Sequence, residues 1–189
     1  MQDFSAIRLQ TSRLELRPLR AGDEAALFAM HSDPEYMRYG SSLPWTSIQQ
    51  AEERIRDDQQ DIREGKHLRL AIVRKADQAL IGVCSLFHFD RQNRRAEIGY
   101  GIARECWRKG YVHEAASALI ALAFSSLELI RLEADIDPRN IASARTLEKL
   151  GFVREGLLRQ RWIIGDEISD SAIYGLLAQD WRPAPGSAV

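Results

Sequence analysis

Hydrophobic and polar positions change period several times along this chain, and each change marks an element. Leu14 and Leu16 alternate with Arg13, Glu15 and Arg17, the two-residue repeat of a half-buried strand, and Pro18 stops it. Asp23 stands where a helix N-cap belongs, ahead of Ala26, Leu27 and Met30. From His31 to Trp45 no period holds, and the stretch is rich in aromatics at Tyr36, Tyr39 and Trp45. A heavily charged helix is predicted from Ser47 to Arg63, its Glu, Arg and Asp side chains forming a solvated face. Strands follow at Leu68–Arg74, Ala79–Phe89 and Glu97–Ile102, with turns near Asp77 and Asn93.

The second half alternates strand and helix. Ala96, Ile98, Tyr100 and Ile102 make one bulky strand face, and Glu97, Gly99 and Gly101 make the other. Two glycines on one face mark a bulge or the close approach of another group. Ala116, Leu119, Ile120, Ala123, Phe124 and Leu127 then recur at helical spacing. Leu132, Ala134 and Ile136 alternate with Arg131, Glu133 and Asp135, and a helix through Leu147 and Leu150 ends at Gly151. Two final strands, Val153–Ile164 and Glu167–Leu177, meet at Gly165-Asp166, a hairpin signal. With no linker, repeat or low-complexity segment, this order predicts one mixed α/β sheet with helices on both faces.

The chemistry concentrates at Trp107-Arg108-Lys109-Gly110-Tyr111-Val112, between the glycine-bearing strand and its helix. A helix start offers unpaired N–H donors and the positive end of the macrodipole, which together favour an anion. Gly110 clears the side chain where a phosphate would approach the backbone, and Arg108 and Lys109 add charge. The order Lys-Gly, with no Ser/Thr following, excludes the P-loop. Gly99-Tyr100-Gly101-Ile102-Ala103-Arg104 lacks the third glycine of a dinucleotide fingerprint. A strand-to-helix turn with solvated cations is the plainer reading of the same residues. Farther on, Asn140 suits a helix N-cap and Ser143 its first turn. No neighbouring His or Asp makes Ser143 a hydrolase nucleophile.

Charge and cysteine content narrow the class. Lys+Arg number 26 against 27 Asp+Glu, a formal net charge of −1, without the cationic surplus of a nucleic-acid protein. No signal-peptide core or membrane-length apolar run occurs, so a cytoplasmic location with no membrane association is expected. Cys84, in an apolar run, reads as a buried thiol, and Cys106 lacks an adjacent His to activate it. The scattered His31, His67, His88 and His113 make no ligand spacing, so no metal is expected.

Several segments in order carry a resemblance: Thr11-Ser12-Arg13-Leu14-Glu15-Leu16-Arg17-Pro18-Leu19, Ala96-Glu97-Ile98-Gly99-Tyr100, Trp107 to Tyr111, Asn140-Ile141-Ala142-Ser143, Leu150-Gly151-Phe152 and Tyr174-Gly175-Leu176-Leu177. Over residues 7–182 the chain resembles the GNAT superfamily of acetyl-CoA-dependent N-acetyltransferases, and more narrowly the branch of ribosomal-protein N-terminal acetyltransferases. The resemblance implies one GNAT-like domain with a mostly antiparallel central sheet. It implies that Trp107, Arg108, Lys109, Gly110, Tyr111 and Val112 form the pyrophosphate loop of acetyl-CoA. The backbone at Ile102 and Ala103 would pair with the pantetheine arm, Asn140 would bond the same arm, and Ser143 would lie near the thioester sulfur. Trp107 stands where the family usually has Gln or Arg, and Val112 where it has Gly or Ala. Some ribosomal-protein members carry an acid at the position of Trp162.

Acetyl transfer to an amine requires a held thioester, a deprotonated amine and a protonated leaving thiolate. Glu97 is the candidate base, from its strand face beside the cofactor track, and an edge-strand ion pair is its alternative role. Ser143 is the candidate donor to the thiolate, with Tyr174 as a further donor. Met30 to Trp45 and the Gly165-Asp166 hairpin are candidate walls of the acceptor pocket. The expected acceptor is a primary amine, a peptide N-terminus or a small molecule, and a homodimer stays open. A non-catalytic acyl-CoA sensor is the competing class.

Overall fold

The computed structural model describes residues 3–182. Its elements are β1 (Leu9–Gln10), β2 (Leu14–Pro18), α1 (Glu24–His31), α2 (Pro34–Met37), α3 (Gln49–Glu64), β3 (Leu68–Arg74), β4 (Ala79–Asp90), β5 (Arg95–Ile102), a 3-10 turn (Arg104–Cys106), α4 (Tyr111–Ser125), β6 (Arg131–Ile136), α5 (Ile141–Lys149), β7 (Val153–Ile164) and β8 (Glu167–Leu177). Among the described residues the strands form one eight-stranded sheet, ordered β1-β2-β3-β4-β5-β6-β8-β7. Neighbours are antiparallel except β5 and β6.

Alternation along the strands sorts two cores onto two faces. Leu14, Leu16, Leu70, Ile72, Leu86, Ile98 and Leu132 bury against Ala116, Leu119, Ile120 and Ala123 of α4. Ala71, Val73 and Val83 turn the other way, onto Leu27 and Met30 of α1 and Ala51 and Ile55 of α3. Each fully buried Leu, Ile or Val contributes about 1.5–3 kcal/mol. Helices therefore cover both faces, as the pattern predicts.

Local differences have local causes. Pro18 forms the last rung of β2, opposite Leu70. Asp23 does not cap α1 with its side chain. Its carboxylate instead takes both guanidinium nitrogens of buried Arg17, at 2.7 and 2.8 Å. A buried guanidinium without a counter-charge is far costlier than an open helix end. The aperiodic stretch holds the four-residue α2, started by Asp33 and Pro34, too short to show a period. Gly165, at φ 59°, turns the final hairpin where expected.

The junction of β5 and β6 positions everything that follows. They pair at three rungs only, Arg95↔Arg131, Ala96↔Leu132 and Glu97↔Glu133. Both strands continue, to Ile102 and Ile136, but they part beyond Glu97. A wedge-shaped gap opens in the middle of the sheet.

Candidate active site

Backbone donors line one side of this gap. Ala103 N–H bonds the Ile81 carbonyl at 2.8 Å, which fixes the β4–β5 ladder so that alternate residues Ile98, Tyr100 and Ile102 turn their amide groups toward the gap. The Ile102 carbonyl receives the Trp107 indole Nε1 at 2.8 Å. Ala103 departs from expectation: its carbonyl also takes the Cys106 N–H, so both its backbone groups are engaged within the chain. The 3-10 turn starts at Ala103 and needs that carbonyl. The Tyr100 backbone and the Ile102 N–H face the gap.

The turn beyond has anion-binding geometry. Arg108 and Gly110 both adopt left-handed backbone, at φ 60° and 79°, and Gly110 is the N-cap of α4. Among the described residues, the amides of positions 108–113 have no acceptor; the first bond into the helix is Glu114 N–H to Gly110 O. Consecutive free N–H groups around left-handed residues form a concave anion nest. Arg108 and Lys109 make no ion pair among the described residues.

A buttress that the sequence did not announce fixes this turn. The Glu114 carboxylate accepts from Thr11 Oγ1 at 2.6 Å, Ser12 Oγ at 3.0 Å, Arg13 N–H at 2.8 Å and Arg13 Nε at 2.6 Å. Arg13 also donates to the Lys109 carbonyl at 3.0 Å and lies 4.5 Å over the Tyr111 ring. Burial opposes ionisation of Glu114, but the four donors outweigh it and hold its carboxyl below the usual range. Thr11-Ser12-Arg13 thus serves as a clamp, and the only sequence hint was a polar triplet before a strand.

Across the gap, α5 brings its own donors. Asn140 caps the helix, its Oδ1 accepting from Ser143 N–H at 3.1 Å, and Nδ2 remains a donor. The Ser143 hydroxyl lies 3.1 Å from the Tyr100 hydroxyl. Burial pushes the Tyr100 phenol up to about 12, with the Ser143 bond acting against it, so this pair stays protonated at neutral pH. Tyr174 packs in the same core, yet Tyr100 is the tyrosine that touches Ser143.

Glu97 lies on the opposite face of β5 from Tyr100 and is not brought into contact with Ser143. Its carboxylate meets Nδ1 of exposed His88 at 3.0 Å. The same face carries Gly99 beside the Phe87 ring and Gly101 beneath Tyr36. On the same face, a cavity of about 110 Å³ is lined by Met37–Ser41, Asp135, Asp137, Arg139, Trp162, Ile164, Glu167 and Ser169, and not by Glu97 or Ser143. It thus includes part of the aperiodic stretch and the strands flanking the Gly165-Asp166 turn. Cys84 and Cys106 are buried, and burial pushes the Cys84 thiol up to about 12.

Free amides at a nested turn, gap-facing strand backbone and a capped helix opposite line a donor-rich cleft in a split sheet. Comparison with known proteins assigns the class. The acetyltransferase (GNAT) domain family matches residues 13–153, and the chain belongs to that family. N-acetyltransferase p20 of Bacillus licheniformis, itself uncharacterized, is 36% identical over 92% of this chain and 97% of its own length. Spermidine N(1)-acetyltransferase of Vibrio cholerae is 27% identical over 84% of this chain and 90% of its own. A provisionally assigned ribosomal-protein-serine acetyltransferase structure from Vibrio cholerae superposes with a TM-score of 0.81 at 27% identity, covering 92% of this chain and 98% of that one. The protein is an N-acetyltransferase, and GNAT enzymes take their acetyl group from acetyl-CoA. Among the described residues no helix is long and apolar enough to cross a membrane.

Proposed function

We propose that residues 7–182 form one domain that acetylates a primary amine at the end of a flexible chain, a peptide α-amino group before other amines. The observation that carries this reading is the gap between β5 and β6, with phosphate-type donors at its α4 end and a narrow cavity on its Glu97 face. The cavity admits one amine and a short substituent while the rest of a peptide stays outside. An α-amino group, with a pKa of about 8 against about 10.4 for lysine, needs less help in losing its proton.

Acetyl-CoA, when bound, supplies an activated acyl carbon and a thiol leaving group. The amides of positions 108–113 hold its diphosphate, with Arg108 and Lys109 adding charge. Tyr100 and Ile102 align the arm by backbone pairing, and Asn140 Nδ2 donates to it. As the C–N bond forms and the C–S bond breaks, the nitrogen loses one proton and the sulfur gains one. Ser143, bonded to Tyr100, gives its proton to the sulfur and is reprotonated from solvent. Glu97 receives the amine's proton through water and passes it to solvent by way of His88.

A compact small-molecule amine is the second reading, favoured by the size of the cavity and by Trp162 in its wall. Initial rates with short peptides, free amino acids, polyamines and aminoglycosides at equal concentration test the order. A small amine faster than every peptide by tenfold, about 1.4 kcal/mol, overturns the peptide assignment. Absence of turnover with every amine overturns the proposal as a whole.

A further inference from the structure

The cavity on the Glu97 face is unevenly neutralised. Three carboxylates line it: Asp135, Asp137 and Glu167. Arg139 serves two of them, bonding Asp137 through Nε at 2.9 Å and Glu167 through Nη1 at 2.6 Å. Arg38, the other cation at the cavity, makes no ion pair among the described residues, and its guanidinium lies over the Tyr39 ring, 5.4 Å from the centroid. Asp135 makes no ion pair among the described residues. Its Oδ2 receives only a long 3.4 Å bond from the Trp162 indole. Its Oδ1 is withdrawn from solvent and has no hydrogen-bond partner among the described residues.

The position of Asp135 on its strand gives that imbalance a use. Glu97 and Glu133 are the last rung of the β5–β6 pairing. Residues two apart on a strand share a face, so Asp135 is the next side chain of β6 on the Glu97 face, at the point where the strands part. A partly buried carboxylate short of donors and without an ion pair is costly until a donor reaches it. A primary ammonium brings three donors and the missing charge, and the Trp162 ring beside it offers an apolar and cation-binding wall.

We propose that Asp135 is the residue that selects the acceptor. It binds the amine in its ammonium form at the mouth of the gap, with Trp162 as the wall of the subsite and its indole N–H holding the carboxylate in place. The inference rests on the reading of this cavity as the acceptor side. Asp135 sets the affinity for the ammonium head of the acceptor, and proton removal follows at Glu97.

Titration with n-butylammonium chloride against n-butanol tests the subsite without any turnover. The chain has four tryptophans, and loss of one indole N–H signal in Trp162→Phe assigns that of Trp162 in the NMR spectrum. The wild-type Trp162 signal is expected to shift saturably with n-butylammonium, and not with n-butanol. Asp135→Asn, which preserves shape, is expected to abolish the shift while keeping the wild-type Kd for acetyl-CoA. With whichever amine is turned over, Asp135→Asn should raise its KM at least tenfold and change kcat much less. Equal shifts from n-butanol, an unchanged n-butylammonium titration in Asp135→Asn, or an unchanged KM overturns the assignment. Lack of acetylation of every amine by the wild type would defeat the proposed acceptor, whereas the titration alone decides whether Asp135 binds an ammonium.

Discussion

Removing the Glu114 carboxylate isolates the clamp beneath the cofactor turn. Glu114→Ala deletes an acceptor shared by four donors, two of them on Arg13 and the others on Thr11 and Ser12. Ser12 and the Arg13 guanidinium are exposed and return to water at little cost. Thr11 is half-buried and loses a partner at 2.6 Å, and the Arg13 N–H loses one at 2.8 Å. Hydrogen bonds to a charged group contribute about 1.5–3 kcal/mol each, and partial rehydration brings the expected loss to about 2 kcal/mol. In a chain of this size that lowers Tm by about 4–8 °C. The Arg13 bond to the Lys109 carbonyl loosens with it, so Kd for acetyl-CoA should rise about tenfold. Because the folded pKa of Glu114 is depressed, its contribution is complete above the unfolded carboxyl value of about 4.3 and is lost as pH falls through the folded value. The difference in Tm between variant and wild type should therefore narrow below that value. Scanning calorimetry at stepped pH, with titration calorimetry at neutral pH, measures all three. A variant that melts within 1 °C of wild type (about the precision of the comparison) and binds acetyl-CoA equally well refutes the clamp.

Gly110→Glu combines a strained left-handed backbone at φ 79° with an anion where the diphosphate belongs, and titration calorimetry should detect no acetyl-CoA binding. Ser143→Ala should lower kcat well beyond its effect on acetyl-CoA affinity, because the hydroxyl is needed as the sulfur leaves; steady-state and binding measurements together separate the two. Gly101→Ala places a Cβ against the Tyr36 hydroxyl and 2.9 Å from its Cζ. Overpacking of that kind costs about 1–3 kcal/mol, and because Tyr36 belongs to α2, urea unfolding should record the loss together with a raised KM for the amine.

Legibility from sequence followed the range over which each feature is determined. Alternation gave β6 its observed bounds and turn signals bracketed β3, β7 and β8, and the turn at Arg108–Val112 was readable because glycine, cations and helix start are contiguous. Ala103 was not, since its backbone partners depend on where the 3-10 turn begins. Glu114 looked like any first-turn acid, and its partner Thr11 lies 103 positions away. Asp135 read as one more polar residue on a half-exposed strand, because the cavity that gives it meaning is assembled from α2, β6 and the final hairpin.

The three-rung junction of β5 and β6 also divides the chain as a folding problem. Strands β1 to β5 pair each with its predecessor, although α1, α2 and α3 lie between β2 and β3, and β6 to β8 make the other side of the sheet. The Arg95–Glu133 ion pair links the two units in place of a long ladder, and Arg131 and Glu155 extend the network within the second. Local opening favours regions with few cooperative contacts, so amides at positions 95–97 and 131–133 should exchange with deuterium ahead of those in β3 and β4. A molecule lying in the gap bridges the two units and favours their closed arrangement, by about 2.7 kcal/mol at one hundred times its Kd. The supply of acetyl-CoA would then register in the lifetime of the enzyme against proteolysis, through the same seam at which it reacts.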